Sequence, residues 1–264
     1  LLSGVSLHLT DKGNLVNLTL MLDATVVLSA GVGLTLTLTA LSLVAGFLLS
    51  VPLAFARAFG RPSLSLAVLS YTYVFRGTPM LVQLFLLYYG LGQIQAVRES
   101  VFWVVLRDPF WCALLTFSLN SAAHTTEILC RGLQSVPKGV LEAAAALGLK
   151  RRHTARLVAF PIAFRVSLPA YGNEVVGMIK GTSLASTVTL LEVTGMARQM
   201  VSDTFAPYEI FLVAGAIYLS LTFVAVKATQ LLERRLSTGE RPARRGDLRT
   251  PPALPDQKLT TPVQ

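Results

Sequence analysis

Charge is scarce in this chain, and that scarcity excludes most soluble folds. Asp, Glu, Lys and Arg make up 14% of its 264 residues, against 53% hydrophobic ones, where soluble domains carry about 25% charge. With a mean hydropathy of +0.59, the chain calls for lipid as its solvent. Histidine and cysteine are also rare. His8, His124 and His153 are scattered and form no HExxH string, which argues against an intramembrane metalloprotease. Cys112 and Cys130 stand near opposite ends of one apolar segment, too far apart for a disulfide, and read as small core hydrophobes. A GxxxxGK[ST] string is missing as well, so the chain cannot supply a Walker-type phosphate cradle. Nor is there room for a catalytic domain beside several spans of about 20 apolar residues each. No cofactor or metal is expected.

What charge there is has one sign in excess. The formal net charge is +9, but Lys and Arg flank apolar segments and fill one tail instead of forming a basic face. Membrane orientation accounts for them, and no nucleic-acid partner is expected.

The apolar runs predict an all-α membrane protein with five transmembrane helices. Residues 1–28 mix polar and apolar groups, with Asp11, Lys12 and Asp23, and read as an N-terminal interfacial segment. Leu1 opens without a charged n-region, so the first span is expected to direct insertion. Residues 31–55 carry no charge and form that span. Thr35, Thr37 and Thr39 alternate as in a strand, yet the length favours a helix whose threonines bond back to carbonyls or to neighbouring helices. A second apolar stretch, residues 64–91, is interrupted by Arg76-Gly77-Thr78-Pro79. Gly and Pro break a helix where the freed backbone groups find protein or water partners, which places the second span at 79–94. The third, fourth and fifth spans are expected at 110–129, 159–189 and 208–231.

Positive residues set the orientation. Arg57, Arg61, Arg131, Lys138, Lys150, Arg151, Arg152, Arg156, Arg234 and Arg235 flank the inner ends of the first, third and fifth spans, against Lys12, Arg98, Arg107 and Arg198 on the opposite side. The N-terminus is therefore expected outside and the C-terminus inside. Residues 237–264 add five prolines without periodic hydrophobicity and read as a disordered cytoplasmic tail. Residues 29–236 form the membrane domain.

The cytoplasmic loop at 135–148, SVPKGVLEAAAALG, is the most unusual piece. Pro137 suits a first helical turn, the alanine run has high helix propensity, and Gly148 suits a C′ stop. A short helix outside the membrane follows, with Glu142 as a fixed charge and small side chains that allow close approach. On composition alone it equally serves to hold two spans together, or to seat a basic stretch on lipid phosphates. The spacing Glu142-Ala143-Ala144, Gly148, Val158, Phe160-Pro161 resembles the EAA loop of ABC-importer permeases, with Val158 and Phe160 where Ile and Leu are usual. That resemblance implies a coupling helix seated in a groove of a cytoplasmic ATPase, carried by Glu142, Ala143, Ala144, Gly148 and Pro161. Phe75-Arg76-Gly77-Thr78-Pro79, Thr125-Thr126-Glu127 and the 168–174 string LPAYGNE resemble the polar amino-acid branch of the same family. Thr182-Ser183-Leu184-Ala185-Ser186 and Val193-Thr194-Gly195 look most like its M-type histidine, lysine/arginine/ornithine and opine permeases. The likeness covers roughly residues 28–236.

The resemblance implies a type I ABC-importer permease fold in a bacterial inner membrane. It implies as partners a cytoplasmic ATP-binding cassette ATPase dimer, a second homologous permease, a periplasmic or extracellular substrate-binding protein and membrane lipid. ATP hydrolysis falls to the ATPase, so this subunit is not itself an enzyme. The candidate substrate pathway is Arg76, Thr78, Gln83, Glu127, Asn173, Glu174, Thr182 and Ser183. Ionisable groups inside spans face a cavity or the bundle interior: Glu127 pairs with Arg131 one turn on, Glu174 lines a cavity, and Lys180 snorkels outward or lines the outer mouth. Arg76 either anchors the inner interface or meets a substrate carboxylate. Relatives often carry Asp where this chain has Gly181, which shifts part of the binding site towards the partner permease. An ion-coupled secondary amino-acid transporter, with Glu127 and Glu174 as coupling carboxylates, is the rival reading; the absence of an inverted repeat counts against it.

Overall fold

Asn17 opens the first helix of the computed structural model, which describes residues 17–236. Residues 1–16 and the tail at 237–264 lie outside the described residues. The Asn17 carboxamide accepts the Leu20 amide at 3.1 Å, satisfying a donor that has no partner within the helix. Twelve α-helical segments follow in order, and no strand occurs among the described residues. Helix α1 (Leu18–Ser29) turns at Ala30 and Gly31 into α2 (Val32–Phe59). A β-carbon on Gly31 would lie 2.7 Å from the Glu192 carbonyl carbon, so only glycine lets these backbones meet.

At 28 residues α2 is about 42 Å long, enough to cross a bilayer core of about 30 Å. Its threonines behave as the sequence suggests. Thr35, Thr37 and Thr39 donate to the carbonyls of Gly31, Gly33 and Thr35 at 3.1, 2.8 and 2.8 Å.

The second apolar stretch is where the structure departs from expectation. Helix α3 (Pro62–Gly77) and helix α4 (Met80–Phe85), the latter continued by a π turn (Leu86–Gly90) and a 3-10 turn (Leu91–Gln93), are two arms around one break. Residues before the break pack on the bundle as well: Val68 and Thr72 are buried, and the Tyr71 hydroxyl donates to the Leu119 carbonyl at 2.6 Å. Arg76 stands in the last turn of α3, immediately before the break.

Short helices α5 (Gln95–Arg98) and α6 (Trp103–Leu106) lead to α7 (Pro109–Gln134). The Asp108 carboxylate accepts the Phe110 amide at 2.8 Å and starts α7. Then come α8 (Lys138–Ala146), α9 (Arg151–His153), a π turn (Thr154–Ala159), α10 (Phe160–Gly181), a 3-10 turn (Thr182–Val188), α11 (Val193–Thr204) and α12 (Pro207–Leu236).

Helix α7 is the axis of the bundle. Fifteen of its 26 residues are buried, against three of 30 in α12. This difference explains why α2 and α12 are long, apolar helices by hydropathy while α7 is more polar: a helix surrounded by protein does not need a lipid-like surface. Its neighbours pack through small residues. A β-carbon on Gly46 of α2 would lie 2.8 Å from the Ser121 β-carbon, and one on Gly132 of α7 would collide with the Ser167 hydroxyl and sit 2.6 Å from the Ala163 carbonyl oxygen of α10. Gly132→Val is accordingly expected to destabilise by about 1–3 kcal/mol through overpacking, seen as a lower unfolding midpoint in detergent; an unchanged midpoint would show that α7 and α10 do not abut there.

Three apolar clusters hold the elements. Leu38, Leu43, Leu84, Phe117, Met178 and Val188 join α2, α4, α7, α10 and the 3-10 turn. Ala24 and Leu28 of α1 join Val193, Ala197, Ile210 and Val213, so α1 shares a core with α11 and α12. Ala54, Leu129, Leu133, Ala159 and Ala163 close the end nearest α8. Cys112 and Cys130 are free and buried.

Candidate functional site

The break at Arg76–Pro79 is sealed by Gln83. From one turn into α4 its amide nitrogen donates to the Phe75 carbonyl, the Thr78 carbonyl and the Thr78 hydroxyl at 2.7, 3.1 and 2.8 Å. Its oxygen accepts from the Asn120 amide of α7 at 3.0 Å. Backbone carbonyls freed by Pro79 thus find partners inside the protein, as a bundle in lipid requires. Gln83→Leu would orphan several of these groups at about 1–3 kcal/mol each. We expect a lower thermal midpoint for that variant and also for Gln83→Glu, which keeps an acceptor for Asn120 but loses the amide donor and sets a carboxylate against the Phe75 and Thr78 carbonyls; equal midpoints for all three proteins would refute the seal.

Beside the break lies an ion cluster. Glu127 of α7 pairs with Arg57 of α2, with Arg76 of α3 at 3.8 Å and with Arg131 of its own helix at 3.6 Å. Its side chain is 15% exposed and that of Arg57 19%, whereas Arg131 is 72% exposed. One carboxylate therefore ties α2, α7 and the upstream arm of the broken helix together. Arg76, His124, Glu127, Arg131, Val166 and Ser167 are among the residues lining a cavity of ≈ 220 Å³ between α3, α7 and α10.

The remaining sequence candidates fall elsewhere. Thr78 is bound up with Gln83 at the break. Asn173 is exposed and Glu174 half-buried on α10; neighbouring Gly172 meets Thr229 of α12. Thr182 is fully buried, and its hydroxyl donates to the Ile179 carbonyl at 2.7 Å; Ser183 donates to the Lys180 carbonyl at 2.6 Å. A β-carbon on Gly181 would run into the Met80 methyl group, so α4 fills the space a larger residue would need. The structure thus brings Arg76 to Glu127 and Thr78 to Gln83, sets Glu174 within electrostatic reach of Arg76 and beside Ser121 of α7, and leaves Asn173, Thr182 and Ser183 in separate positions along α10 and its 3-10 extension.

Sequence reasoning missed Arg57, Asn120 and Glu192. Glu192 is completely buried at the start of α11. Its carboxylate accepts the Thr194 and Gly195 amides, both at 2.9 Å, and the Tyr218 hydroxyl of α12 at 2.6 Å. The detectable signal was a lone acid between Leu191 and Val193 ahead of Thr194-Gly195, in an N-cap position.

The loop helix α8 completes the candidate site. Ala144 is its buried residue, while Glu142, Ala143, Ala145 and Ala146 are exposed. It ends at Gly148, whose φ of +77° is in the left-handed region that glycine occupies without penalty. Pro161 is exposed in the first turn of α10.

The described residues thus form a helical bundle with a buried polar axis and a small-residue helix at one end, and the class of protein that is built this way is a membrane subunit of a transporter. Residues 46–238 match the family of binding-protein-dependent transport system inner membrane components, and the chain belongs to it. It is 49% identical over 207 residues to the nopaline transport system permease protein NocM of Agrobacterium fabrum, covering 78% of this chain and 86% of that one. It is 45% identical over 233 residues to the octopine transport system permease protein OccM of Rhizobium meliloti, covering 88% and 93%. Among solved structures it resembles a chain in the crystal structure of an amino acid ABC transporter with histidines, at 32% identity and a TM-score of 0.74, covering 83% of this chain and 99% of that one. The fold is that of an ABC-importer permease, and the chain is a membrane component that works with an ATPase and a substrate-binding protein. These relatives are ABC permeases, so the ion-coupled secondary transporter is set aside.

Proposed function

We propose that this chain is one of two homologous permease subunits forming the inner-membrane path of an importer for basic amino acids or opines. Five spans (α2, the α3–α4 pair, α7, α10 and α12), with the N-terminus outside, put α8 in the cytoplasm against a two-subunit ATPase. The carrying observation is α8 itself, exposed along Glu142, Ala143 and Ala145 and stopped by a left-handed glycine. Alanine side chains permit close approach of a partner groove, and the single carboxylate fixes orientation by a charged contact. A substrate-binding protein delivers cargo to the opposite face.

Arg76 and Glu127, at the polar cavity, are the pathway residues of first interest. Asn173 and Glu174 extend the path along α10, with Thr182 and Ser183 towards its outer end. The relatives named for nopaline and octopine, and the amino acid transporter solved with histidines, support cargo that carries both a carboxylate and a basic group. Uptake of radiolabelled histidine, arginine and octopine by cells expressing the full importer tests this. At least one should accumulate, compete with the others and stop when ATP is depleted. Accumulation of a sugar or of leucine, with none of the three taken up, would overturn the cargo class.

A further inference from the structure

A groove of ≈ 840 Å³ opens between the last turns of α2 and the start of the chain's return towards the membrane. One wall is apolar, with Val51, Pro52, Phe55 and Phe59 of α2; the other presents Arg151 and Arg152 of α9 and Arg156 of the following π turn. The three arginines are exposed. They have no carboxylate partner among the described residues; Glu127 is taken up by Arg57, Arg76 and Arg131. None of the groove's lining residues is acidic.

We propose that this groove binds one anionic glycerophospholipid, its phosphate on the three arginines and an acyl chain along the α2 wall. The groove has the size of a small-molecule site, about 300–1,000 Å³, room for a phosphate headgroup and the first part of one acyl chain. Guanidinium groups pair with phosphate through two parallel hydrogen bonds. Charge and apolarity meet here in the order of a lipid: cations at the end of the bundle near α8, hydrocarbon surface one turn further into the span. A soluble anion would satisfy the arginines but leave Val51, Pro52 and Phe55 uncovered. The site rests on the chain crossing a membrane, not on which cargo it carries. Because the π turn packs against α8, an occupied groove would brace the coupling loop from its membrane side.

The test uses the full purified chain in non-ionic detergent, titrated with phosphatidylglycerol or phosphatidylcholine and read by native mass spectrometry. Each basic residue near an anionic lipid contributes about a fivefold preference, so phosphatidylglycerol should bind on the order of a hundredfold tighter. Changing Arg151, Arg152 and Arg156 together to Gln should bring the two lipids level. Ala56→Trp, which fills the groove and leaves the arginines, should weaken both. Unfolding midpoints in the absence of lipid identify any variant that misfolds. Equal binding of the two lipids by the wild type, undiminished phosphatidylglycerol binding by a folded Ala56→Trp, or full competition by glycerol 3-phosphate would each overturn the proposal. None of these readouts depends on transport, so its failure would leave the proposed cargo untouched.

Discussion

Glu127→Gln is expected to remove more stability than any other single polar substitution in the bundle. The carboxylate holds Arg57 in direct contact and draws in Arg76 at 3.8 Å. With the charge gone, Arg57, 19% exposed, is left largely buried without a counter-ion, while Arg76, 36% exposed, still reaches solvent. Breaking a fully buried pair from one side costs about 3–5 kcal/mol, because the surviving charge has already lost its water; this part-buried pair should fall at or below the lower end of that range. Arg131 is a different case. At 72% exposed and one helical turn from Glu127, it is screened by solvent, and Arg131→Gln should change stability by less than about 1 kcal/mol. The decisive comparison is the double variant in which Glu127 and Arg57 both become Leu. Removing both members of a buried pair is often nearly neutral, so the double variant should unfold at a higher temperature than either single one. Thermal unfolding of the purified chain supplies all of these values. If the single losses simply add, the two residues are not coupled and the cluster is not a fastener.

The residues that carry this cluster show what the sequence could and could not reveal. Glu127 and Arg131 lie four apart, so helix periodicity alone pairs them. Arg57 is 70 positions away from Glu127, and its place at the end of an apolar run reads as an interfacial anchor. Nothing local says that α2 and α7 run side by side. The break at Arg76–Pro79 was legible from Gly and Pro, yet the groups that seal it were not. Hydropathy treats an arginine as the edge of a span, whereas here Glu127 neutralises it and Gln83 absorbs the freed carbonyls, so the helix resumes on the other side. The polarity of α7 has the same origin, since the protein around it replaces lipid. By contrast, the loop helix was readable almost to the residue, from an alanine run bounded by Pro137 and Gly148, because its structure is set by local propensity. Glu192 is the opposite case: its partner Tyr218 is 26 positions on, and a short helix had to form before its role as a cap existed.

That locality makes α8 the place where a mutation should separate function from folding. Glu142 is exposed, and substitutions at such positions usually shift stability by no more than about 0.5 kcal/mol. Glu142→Lys should therefore leave the unfolding midpoint of the chain in place while it turns a docking carboxylate into a like-charge clash with whatever cation receives it. Truncating one side of a buried interfacial charge pair costs about 2–5 kcal/mol, or a thirtyfold or greater loss of affinity at the lower end. Co-purification of the ATPase and ATP-dependent uptake should fall together. Gly148→Val acts through the backbone. At φ +77° a β-branched residue is strained, at a cost of about 1–3 kcal/mol, and relaxing that strain redirects the chain between α8 and α9. Uptake should drop even where the ATPase remains bound, because the lever is present but wrongly angled. Gly148→Asn, a residue that tolerates the left-handed region, should restore much of the uptake. Full transport by Glu142→Lys, or no difference between Val and Asn at position 148, would show that α8 only connects two spans.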